Sequence, residues 1–334
     1  DGVVFIHPEN KNFIQGKYID RIKDLDEIPS PYLNGMLDKF FDGYLTPFIE
    51  TNRGCPFTCS FCHTGSNYYH KLNKFSKDRV EREINYIGKK AGKLKISNLH
   101  MADVNFGMYP QDRLTCEFLK KSKEKYGWPR QIMATTGKNS KDRVMEITNI
   151  LGDMFSINMS MQSMDEQVLK NIKRANIKLD HMIDVNNHLI EQGRSTKAEL
   201  IVGLPGETKE TFLNGLDNVL NSNSTAVTIY TLMMLHGTEF KNPEYRKQFG
   251  YKGKFRIVPL NFGNYQNKKV FDYEEVGIQT KDLSFEDYLY LRVIALLVES
   301  LHNGRPFNEF FLYGKHHNIK QANLLKILYD NINK

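Results

Sequence analysis

The chain has 334 residues, of which 40% are hydrophobic and 25% are charged, and its formal net charge is +7. This composition is typical of a globular protein with one large domain or two small ones, and it excludes a disordered chain. No apolar stretch approaches the ~20 residues that a membrane span needs, and no signal segment opens the sequence. Four cysteines are too few for a disulfide scaffold. We therefore expect a cytoplasmic protein with reduced thiols.

The positive charge is spread along the sequence. Around a helix predicted from Ser76, Lys77, Lys89 and Lys90 are mixed with acidic residues such as Asp78. Such mixing indicates a solvated face, whereas nucleic-acid binding favours a concentrated basic patch. We therefore expect no nucleic-acid partner.

Residues 1–43 contain an extended, proline-rich segment, Ile28-Pro29-Ser30-Pro31. Proline fixes its own φ and disfavours helix in the residue before it, as a linker requires. The sequence starts at Asp1 and not at a methionine. We therefore expect residues 1–43 to be a linker or N-terminal extension that follows a missing upstream domain.

Six β-type runs then alternate with amphipathic helices. The strands are predicted at residues 44–50, 94–101, 131–136, 155–161, 197–202 and 226–233. The helix from Ser76 places Val80, Ile84 and Ile87 on one face. This alternation is typical of a parallel α/β sheet. We predict a partial (βα)6 TIM-like barrel over residues 44–245.

Helix boundaries and the C-terminal region follow from local signals. Ser163-Met164-Asp165-Glu166 matches a capping box with Ser163 as the N-cap, and Gly193 is a natural C′ residue for the helix before it. Glu207 is expected as a charge at a helix start. Residues 246–334 combine aromatic clusters with a helix from Ser284. They are predicted to form an α-rich cap that covers the barrel mouth and selects the substrate.

Cys55, Cys59 and Cys62 form a C-x3-C-x2-C run directly after the first strand. An iron–sulfur cube normally takes four cysteine ligands, so three would leave one iron free for an outside ligand. A structural zinc site and a cluster completed by Cys116 are alternatives, although structural zinc loops favour paired C-x2-4-C units. A metal-binding scaffold without catalysis thus stays open.

The cysteine run resembles the motif C-x3-C-x-aromatic-C of the radical S-adenosylmethionine (radical SAM) enzymes, with Phe61 at the aromatic position. The resemblance implies a [4Fe–4S] cluster on Cys55, Cys59 and Cys62, with S-adenosylmethionine on the free iron and its cleavage to a 5′-deoxyadenosyl radical. It also implies a (βα)6 fold. The proline segment and the flanks of the cysteine run resemble the cobalamin-binding group, which implies cobalamin in an upstream domain.

Parallel barrels place their chemistry at the C-terminal ends of the strands. Asp103 and Asn105 follow the second strand and resemble a polar segment of the cobalamin-binding group. The resemblance implies that both residues orient the cofactor or the substrate and act as catalytic residues. It also implies that Asp103 binds the cofactor. A simple turn is the alternative, because Asp, Asn and Gly favour turns.

Further cofactor contacts are implied by the same resemblance. Phe61 would present its backbone to the adenine edge, and Gln162 would contact the nucleoside or methionine part. Arg174 would pair bidentately with the cofactor carboxylate, a geometry that lysine cannot copy. Val202 and Gly203 belong to a segment that would lie against adenine.

The resemblance predicts a radical SAM enzyme, a cobalamin-dependent methyltransferase or a related radical catalyst. It would act on a small-molecule, lipid or sugar substrate and take electrons from a reducing protein such as flavodoxin or ferredoxin. A tRNA methylthiotransferase is a second hypothesis, suggested by the basic charge, but a second cysteine cluster is lacking. A non-catalytic iron–sulfur or zinc scaffold is the hypothesis from another class.

Overall fold

The computed structural model describes residues 2–136 and 141–331, so the predicted outer domain limits at residues 1 and 334 lie outside the described residues. The strands are β1 Val4–Ile6, β2 Phe13–Gln15, β3 Phe48–Ile49, β4 Asn52–Arg53, β5 Asn73–Lys74, β6 Asn98–Met101, β7 Gln131–Met133, β8 Ile157–Gln162, β9 Thr196–Val202, β10 Ala226–Thr231, β11 Lys252–Tyr265 and β12 Lys268–Gln279. The helices are α1 Lys77–Lys93, α2 Asp112–Tyr126, α3 Lys141–Leu151, α4 Glu166–Asn171, α5 Leu179–Glu191, α6 Lys209–Asn221, α7 Pro243–Phe249, α8 Phe285–Leu297, α9 Asn308–His316 and α10 Gln321–Asn331.

The predicted strands form two parallel sheets. One has the order β3-β6-β7 and the other β10-β9-β8. A single parallel bridge between Ile132 and Phe155 connects them, so the six strands follow one another in chain order. The predicted mixed α/β class with parallel strands is confirmed.

Several strands are shorter than predicted because residues at their predicted ends belong to a helix cap, a turn or another strand pairing. Leu94 caps α1 and Lys95 has a φ of 56°, so the chain turns before β6 begins. At the end of β10, Met233 leaves the parallel sheet and forms an antiparallel bridge with Val276 of β12. The base of the β11–β12 hairpin is thereby attached beside the last parallel strand.

The core lies between the sheets and the helices. Ile84 and Ile87 of α1 are fully buried, as their helical spacing predicted. In β9, Ala198, Leu200 and Val202 are at most 1% exposed and alternate with half-buried residues. Such alternation places successive side chains on opposite faces of a strand. Val202 therefore packs in the core, whereas the half-buried residues of β9 project from the opposite face of the strand.

The predicted capping box after β8 is wrong. Asp165 is the N-cap of α4, because its Oδ1 accepts hydrogen bonds of 2.9 Å from the backbone N–H groups of Gln167 and Val168. The Ser163 hydroxyl donates instead to Glu207, 2.6 Å away. The prediction that Gly193 is the C′ residue of the preceding helix is confirmed, since α5 ends at Glu191 and Gly193 has a φ of 70°.

The C-terminal region contains helices, as predicted, and also a pair of long strands that was not predicted. It begins with the long antiparallel hairpin of β11 and β12, whose two-residue loop is Gln266-Asn267. Both loop residues have positive φ, 49° and 63°, as a type I′ turn requires. The helices that follow extend the outer layer, because α8 and α10 contact α6 and a π-helical turn at Val298–His302 contacts β10.

The N-terminal region packs against the start of the parallel sheet. Leu25 and Tyr32 are buried, and the Tyr32 hydroxyl lies 3.0 Å from the backbone of Phe48. The Asp26 carboxylate accepts a 3.1 Å hydrogen bond from the backbone N–H of Ser76, next to α1. Within the described ranges, no helix combines the length and apolar character needed to cross a membrane.

Candidate cluster and cofactor site

The three clustered cysteines lie on the loop between β4 and β5. Cys55 and Cys59 are buried and Cys62 is half-buried, and all are free thiols. The backbone N–H of Cys55 donates to Tyr69 O at 2.8 Å, and that of Cys62 donates to Cys59 O at 3.1 Å. The loop is thus fixed by its own backbone.

Two glycines allow this loop to wrap closely. Gly54 has a φ of 128°, and a Cβ there would lie 2.4 Å from Lys71 O. A Cβ on Gly65 would lie 2.3 Å from Cys59 O. Any larger residue would push the loop away from its neighbours, so the position of the cysteines depends on both glycines.

All three cysteines line one cavity of about 430 Å³ at the C-terminal ends of the parallel strands. Phe61 also lines it and packs against a hydrophobic cluster that includes Leu204 and Leu232. The lining further includes Phe57, Val104, Thr135, Gln162, Glu199, Ile201, Tyr230, Met233 and Leu235. Most of these side chains are apolar, as suits a site that excludes water.

The side chains of Asp103 and Asn105 are buried and face the cysteine loop. Asp103 accepts a 2.6 Å hydrogen bond from the Thr51 hydroxyl and another from the Asn52 amide. Burial raises the pKa of Asp103 to about 7, although the bonds from Thr51 oppose this shift. The Asn105 amide donates to Cys55 Sγ at 3.3 Å. Both predicted residues therefore support the segment that carries the cysteines, and neither is among the residues that line the cavity.

Arg174 reaches the cysteine loop from the end of α4. Its Nη1 lies 4.0 Å from Cys59 Sγ, Nη2 donates to Ser160 O, and Nε donates to Asn176 Oδ1 at 2.7 Å. Burial lowers the pKa of the Arg174 guanidinium, and the Cys59 sulfur opposes this shift. The structure thus places Arg174, the residue predicted to bind the cofactor carboxylate, next to the cysteines predicted to ligate the cluster.

Gln162, at the end of β8, is 7% exposed and lines the cavity. Its Oε1 is buried and has no hydrogen-bond partner among the described residues. Its φ of 67° is rare for a residue other than glycine. A buried acceptor without a partner is unfavourable unless a ligand supplies a donor.

Val202 and Gly203 follow the cavity residues Glu199 and Ile201 along the chain. The Val202 side chain faces the core, on the opposite side of β9 from Glu199 and Ile201, which line the cavity. The Gly203 carbonyl accepts a 2.9 Å hydrogen bond from the Tyr251 hydroxyl. Neither residue lines the cavity. The period of two along a strand turns the Val202 side chain away, and a contact between this segment and adenine stays a prediction.

Glu199 is a cavity residue that the sequence interpretation missed. It accepts hydrogen bonds from Asn158 at 2.8 Å, from Ser160 at 2.6 Å and from Tyr230 at 3.2 Å. Burial raises the pKa of Tyr230 to about 12. An acidic residue next to the apolar run Leu200-Ile201-Val202 of β9 was the available signal. This polar network can bind hydroxyl or amino groups of a ligand.

A second chamber of about 440 Å³ adjoins the cavity, and Thr64 and Val104 line both. Its other walls include Arg21, Glu50 and Arg53. The Arg21 guanidinium donates to the backbone carbonyls of Lys71 and Arg53. The chamber is thus bounded by the N-terminal region on one side and the cysteine loop on the other.

Cys116 lies apart from this site. It is fully buried on α2 within the hydrophobic core, and burial raises the pKa of its thiol. Within residues 2–136 and 141–331, no three His, Cys, Asp or Glu side chains are arranged to hold one metal ion. In an iron–sulfur cube each cysteine ligates a different iron, so the cysteines need not converge on one point. The absence of a site for a single ion among these residues therefore does not argue against a cube. The three thiols at one apolar cavity, with Arg174 beside them, fit such a cube.

The comparison with protein families agrees with this site. The sequence profile of the Radical SAM superfamily matches residues 49–219, about half of the chain. The matched segment contains the cysteine loop and every strand from β4 to β9. The chain belongs to the radical SAM superfamily, and the resemblance stated for its cysteine motif is confirmed.

Two curated proteins are similar over most of the chain. The cobalamin-dependent radical SAM methyltransferase TokK of Streptomyces tokunonensis is 30% identical over 309 residues, 87% of this chain and 44% of TokK. The 2-(S-pantetheinyl)-carbapenam-3-carboxylate methyltransferase of Streptantibioticus cattleyicolor is 30% identical over 304 residues, with the same 87% and 44% coverage. The chain therefore spans less than half the length of these relatives.

A solved structure shares the fold. It is the radical S-adenosylmethionine methyltransferase TsrM of Kitasatospora setae with cobalamin and a [4Fe–4S] cluster bound. The TM-score is 0.51 at 15% identity, over 64% of this chain and 39% of TsrM. At this identity the similarity concerns the fold alone.

Proposed function

We propose that this chain is the catalytic core of a radical SAM methyltransferase that uses cobalamin and a small-molecule substrate. The observation that carries the proposal is the placement of three free cysteines at one cavity beside the ends of the parallel strands, with Arg174 Nη1 4.0 Å from Cys59 Sγ. The names of the two relatives, both methyltransferases, support the reaction type.

Cys55, Cys59 and Cys62 would each ligate one iron of a [4Fe–4S] cluster. The fourth iron would then bind the amino and carboxylate groups of S-adenosylmethionine. Held by these three cysteines, the reduced cluster would supply the electron for cleavage of S-adenosylmethionine to methionine and a 5′-deoxyadenosyl radical.

The residues of the chain would bind and orient the cofactor. Arg174 would pair with its carboxylate, and its buried position would make that charge-assisted pair strong. Gln162 and Glu199 would accept hydrogen bonds from its amino or hydroxyl groups. Phe61 would present its backbone to the adenine edge, while the apolar lining would keep water away from the radical.

Asp103 and Asn105 would act through the cysteine loop. Asn105 donates to Cys55 Sγ, and Asp103 holds Thr51 and Asn52, which precede the loop. We propose that both residues keep the cofactor oriented for coupled turnover.

The substrate would occupy the second chamber. This chamber adjoins the cluster cavity through Thr64 and Val104, so a substrate there could present a carbon to the radical. We assign residues 44–245 to a partial (βα)6 barrel, residues 1–43 to the segment linking it to a cobalamin-binding domain, and residues 246–334 to a C-terminal region whose described part lines neither chamber.

A reducing protein such as flavodoxin or ferredoxin would supply the electron, in the cytoplasm, where thiols stay reduced. The methylthiotransferase and the non-catalytic scaffold are the competing functions. The first would require an RNA substrate, and the second would require that S-adenosylmethionine leave the cluster unaffected.

The test is electron paramagnetic resonance of the anaerobically reconstituted and reduced protein, with and without S-adenosylmethionine. We expect the cofactor to change the cluster signal, because it becomes a ligand of one iron. The Cys62→Ala variant should lose the cluster signal. A normal cluster signal that the cofactor leaves unchanged would support the scaffold and contradict the proposed enzyme.

A further inference from the structure

The end of β8 contains a strained turn. The backbone N–H of Ser163 donates to Met161 O at 2.8 Å, which closes a three-residue turn centred on Gln162. Gln162 has a φ of 67°, and a γ-turn with positive φ at its centre is rare and strained. A residue with a side chain keeps such a conformation only where its surroundings enforce it.

Two sets of side-chain hydrogen bonds enforce this turn. The Asn176 amide donates to Met161 O at 2.7 Å and to Ser163 O at 2.8 Å, so it binds the carbonyls on both sides of Gln162. The Ser163 hydroxyl donates to Glu207 Oε1 at 2.6 Å, and both of these residues are at most 2% exposed. The turn is thereby fixed to the loop that follows β9.

The strain coincides with an unpaired acceptor. Gln162 Oε1 is buried and lacks a hydrogen-bond partner in the described part of the chain, and the residue lines the cluster cavity. Asn176 also accepts from Arg174 Nε at 2.7 Å. One asparagine therefore contacts both the strained turn and the arginine beside Cys59, so Gln162 and Arg174 share a single support.

We propose that Ser163, Asn176 and Glu207 are positioning residues that hold the turn and keep the Gln162 side-chain carbonyl in place for a hydrogen-bond donor of S-adenosylmethionine. The inference rests on the proposed function, because it takes that cofactor as the ligand of the cavity. It adds three residues outside the cavity to the binding machinery. Their effect on the cofactor passes through Gln162 or, for Asn176, also through Arg174.

The test is a double-mutant cycle on the cluster-loaded protein, with S-adenosylmethionine affinity measured anaerobically by calorimetry. Gln162→Ala should weaken binding roughly 3- to 10-fold, the range of one net hydrogen bond. Ser163→Ala should weaken binding by a similar or smaller factor. The double variant should bind no more weakly than Gln162→Ala alone, because Ser163 acts only through Gln162.

Two controls separate positioning from general stability. Ser222 is a fully buried serine whose hydroxyl donates to Val219 O at 2.6 Å, away from the cavity. Ser222→Ala should lower the melting temperature without changing cofactor affinity. Gln162→Gly should melt at a higher temperature than Gln162→Ala, since glycine accepts positive φ, while both bind the cofactor equally weakly.

The outcomes are distinct. The positioning role would be overturned if the losses of cofactor affinity in the two single variants add up in the double variant. It would also be overturned if Ser163→Ala binds with full affinity while Gln162→Ala binds more weakly. If Ser163→Ala fails to fold, Glu207→Gln enters the same cycle. Unchanged affinity in Gln162→Ala would overturn this inference and leave the proposed function standing. Absence of cofactor binding by the unaltered protein would overturn both.

Discussion

The side-chain amide of Asn105 donates a 3.3 Å hydrogen bond to Cys55 Sγ, and both residues are buried. Hydrogen bonds to cysteine sulfurs tune the reduction potential of an iron–sulfur cluster. The bond should favour the reduced, more negative cluster. Asn105 can therefore act on the proposed chemistry without lining the cavity.

Asn105→Leu should lower the reduction potential of the cluster. We expect a shift of roughly 40 mV for each kcal/mol by which the bond favours the reduced state. A potentiometric titration followed by electron paramagnetic resonance measures it. Asn186→Leu is the matched control, because Asn186 is also fully buried but donates to Ser222 O at 2.7 Å. Equal potentials in Asn105→Leu and the unaltered protein would show that the bond does not tune the cluster.

Arg174→Lys should weaken S-adenosylmethionine binding although it keeps the positive charge. Lysine cannot reproduce the planar fork of a guanidinium, so we expect a loss of about 1.5 to 3 kcal/mol. Isothermal calorimetry measures the affinity. Arg194→Lys is the control, since Arg194 likewise donates to two carbonyl groups, Thr148 O at 3.0 Å and Phe155 O at 2.5 Å, whereas Arg174 lies beside Cys59. Equal losses in both variants would argue against a carboxylate contact.

Glu207→Gln should change the pH dependence of stability. Burial raises the pKa of Glu207 to about 8, well above its ordinary value, although the bond from Ser163 opposes this shift and nearby Asp165 adds to it. The folded state binds the proton more tightly, so this stabilisation is present at low pH and is lost as the pH rises through about 8. Relative to the glutamine variant, the free energy of unfolding should fall by about 1.4 kcal/mol per pH unit at most. Chemical denaturation from pH 5 to 9 measures the free energy of unfolding of both proteins. The same pH dependence in the two proteins would contradict this expectation.

Cys116→Ala should leave the iron and sulfide content unchanged. Cys116 is fully buried in the hydrophobic core and does not line the cavity. The variant should lose about 1 kcal/mol of stability through lost packing. Chemical assay of iron and sulfide measures the content, with Cys59→Ala as the variant expected to lose the cluster. A loss in Cys116→Ala equal to that in Cys59→Ala would restore the four-cysteine hypothesis.

Periodicity predicted the parallel strands because each is a local apolar run. It could not predict the β11–β12 hairpin, whose turn is Gln266-Asn267 and not the usual Asn-Gly pair. The hairpin strands are also largely exposed, so they carry little of the apolar pattern that marks a buried strand.

The site was predictable where one segment carries it, as with Cys55, Cys59 and Cys62. The contact between Ser163 and Glu207 joins residues 44 positions apart, and no local pattern records it. The choice between Glu199 and Val202 depended on which face of β9 turns toward the cavity. Alternation alone gives two sets of residues without saying which set faces inward.

The most direct test of the proposed radical chemistry is product analysis after anaerobic incubation of the reconstituted, reduced protein with S-adenosylmethionine. We expect 5′-deoxyadenosine and methionine, formed by the unaltered protein and not by Cys59→Ala. An intact, reduced cluster that yields no 5′-deoxyadenosine, with or without added cobalamin, would contradict the radical chemistry proposed for this site.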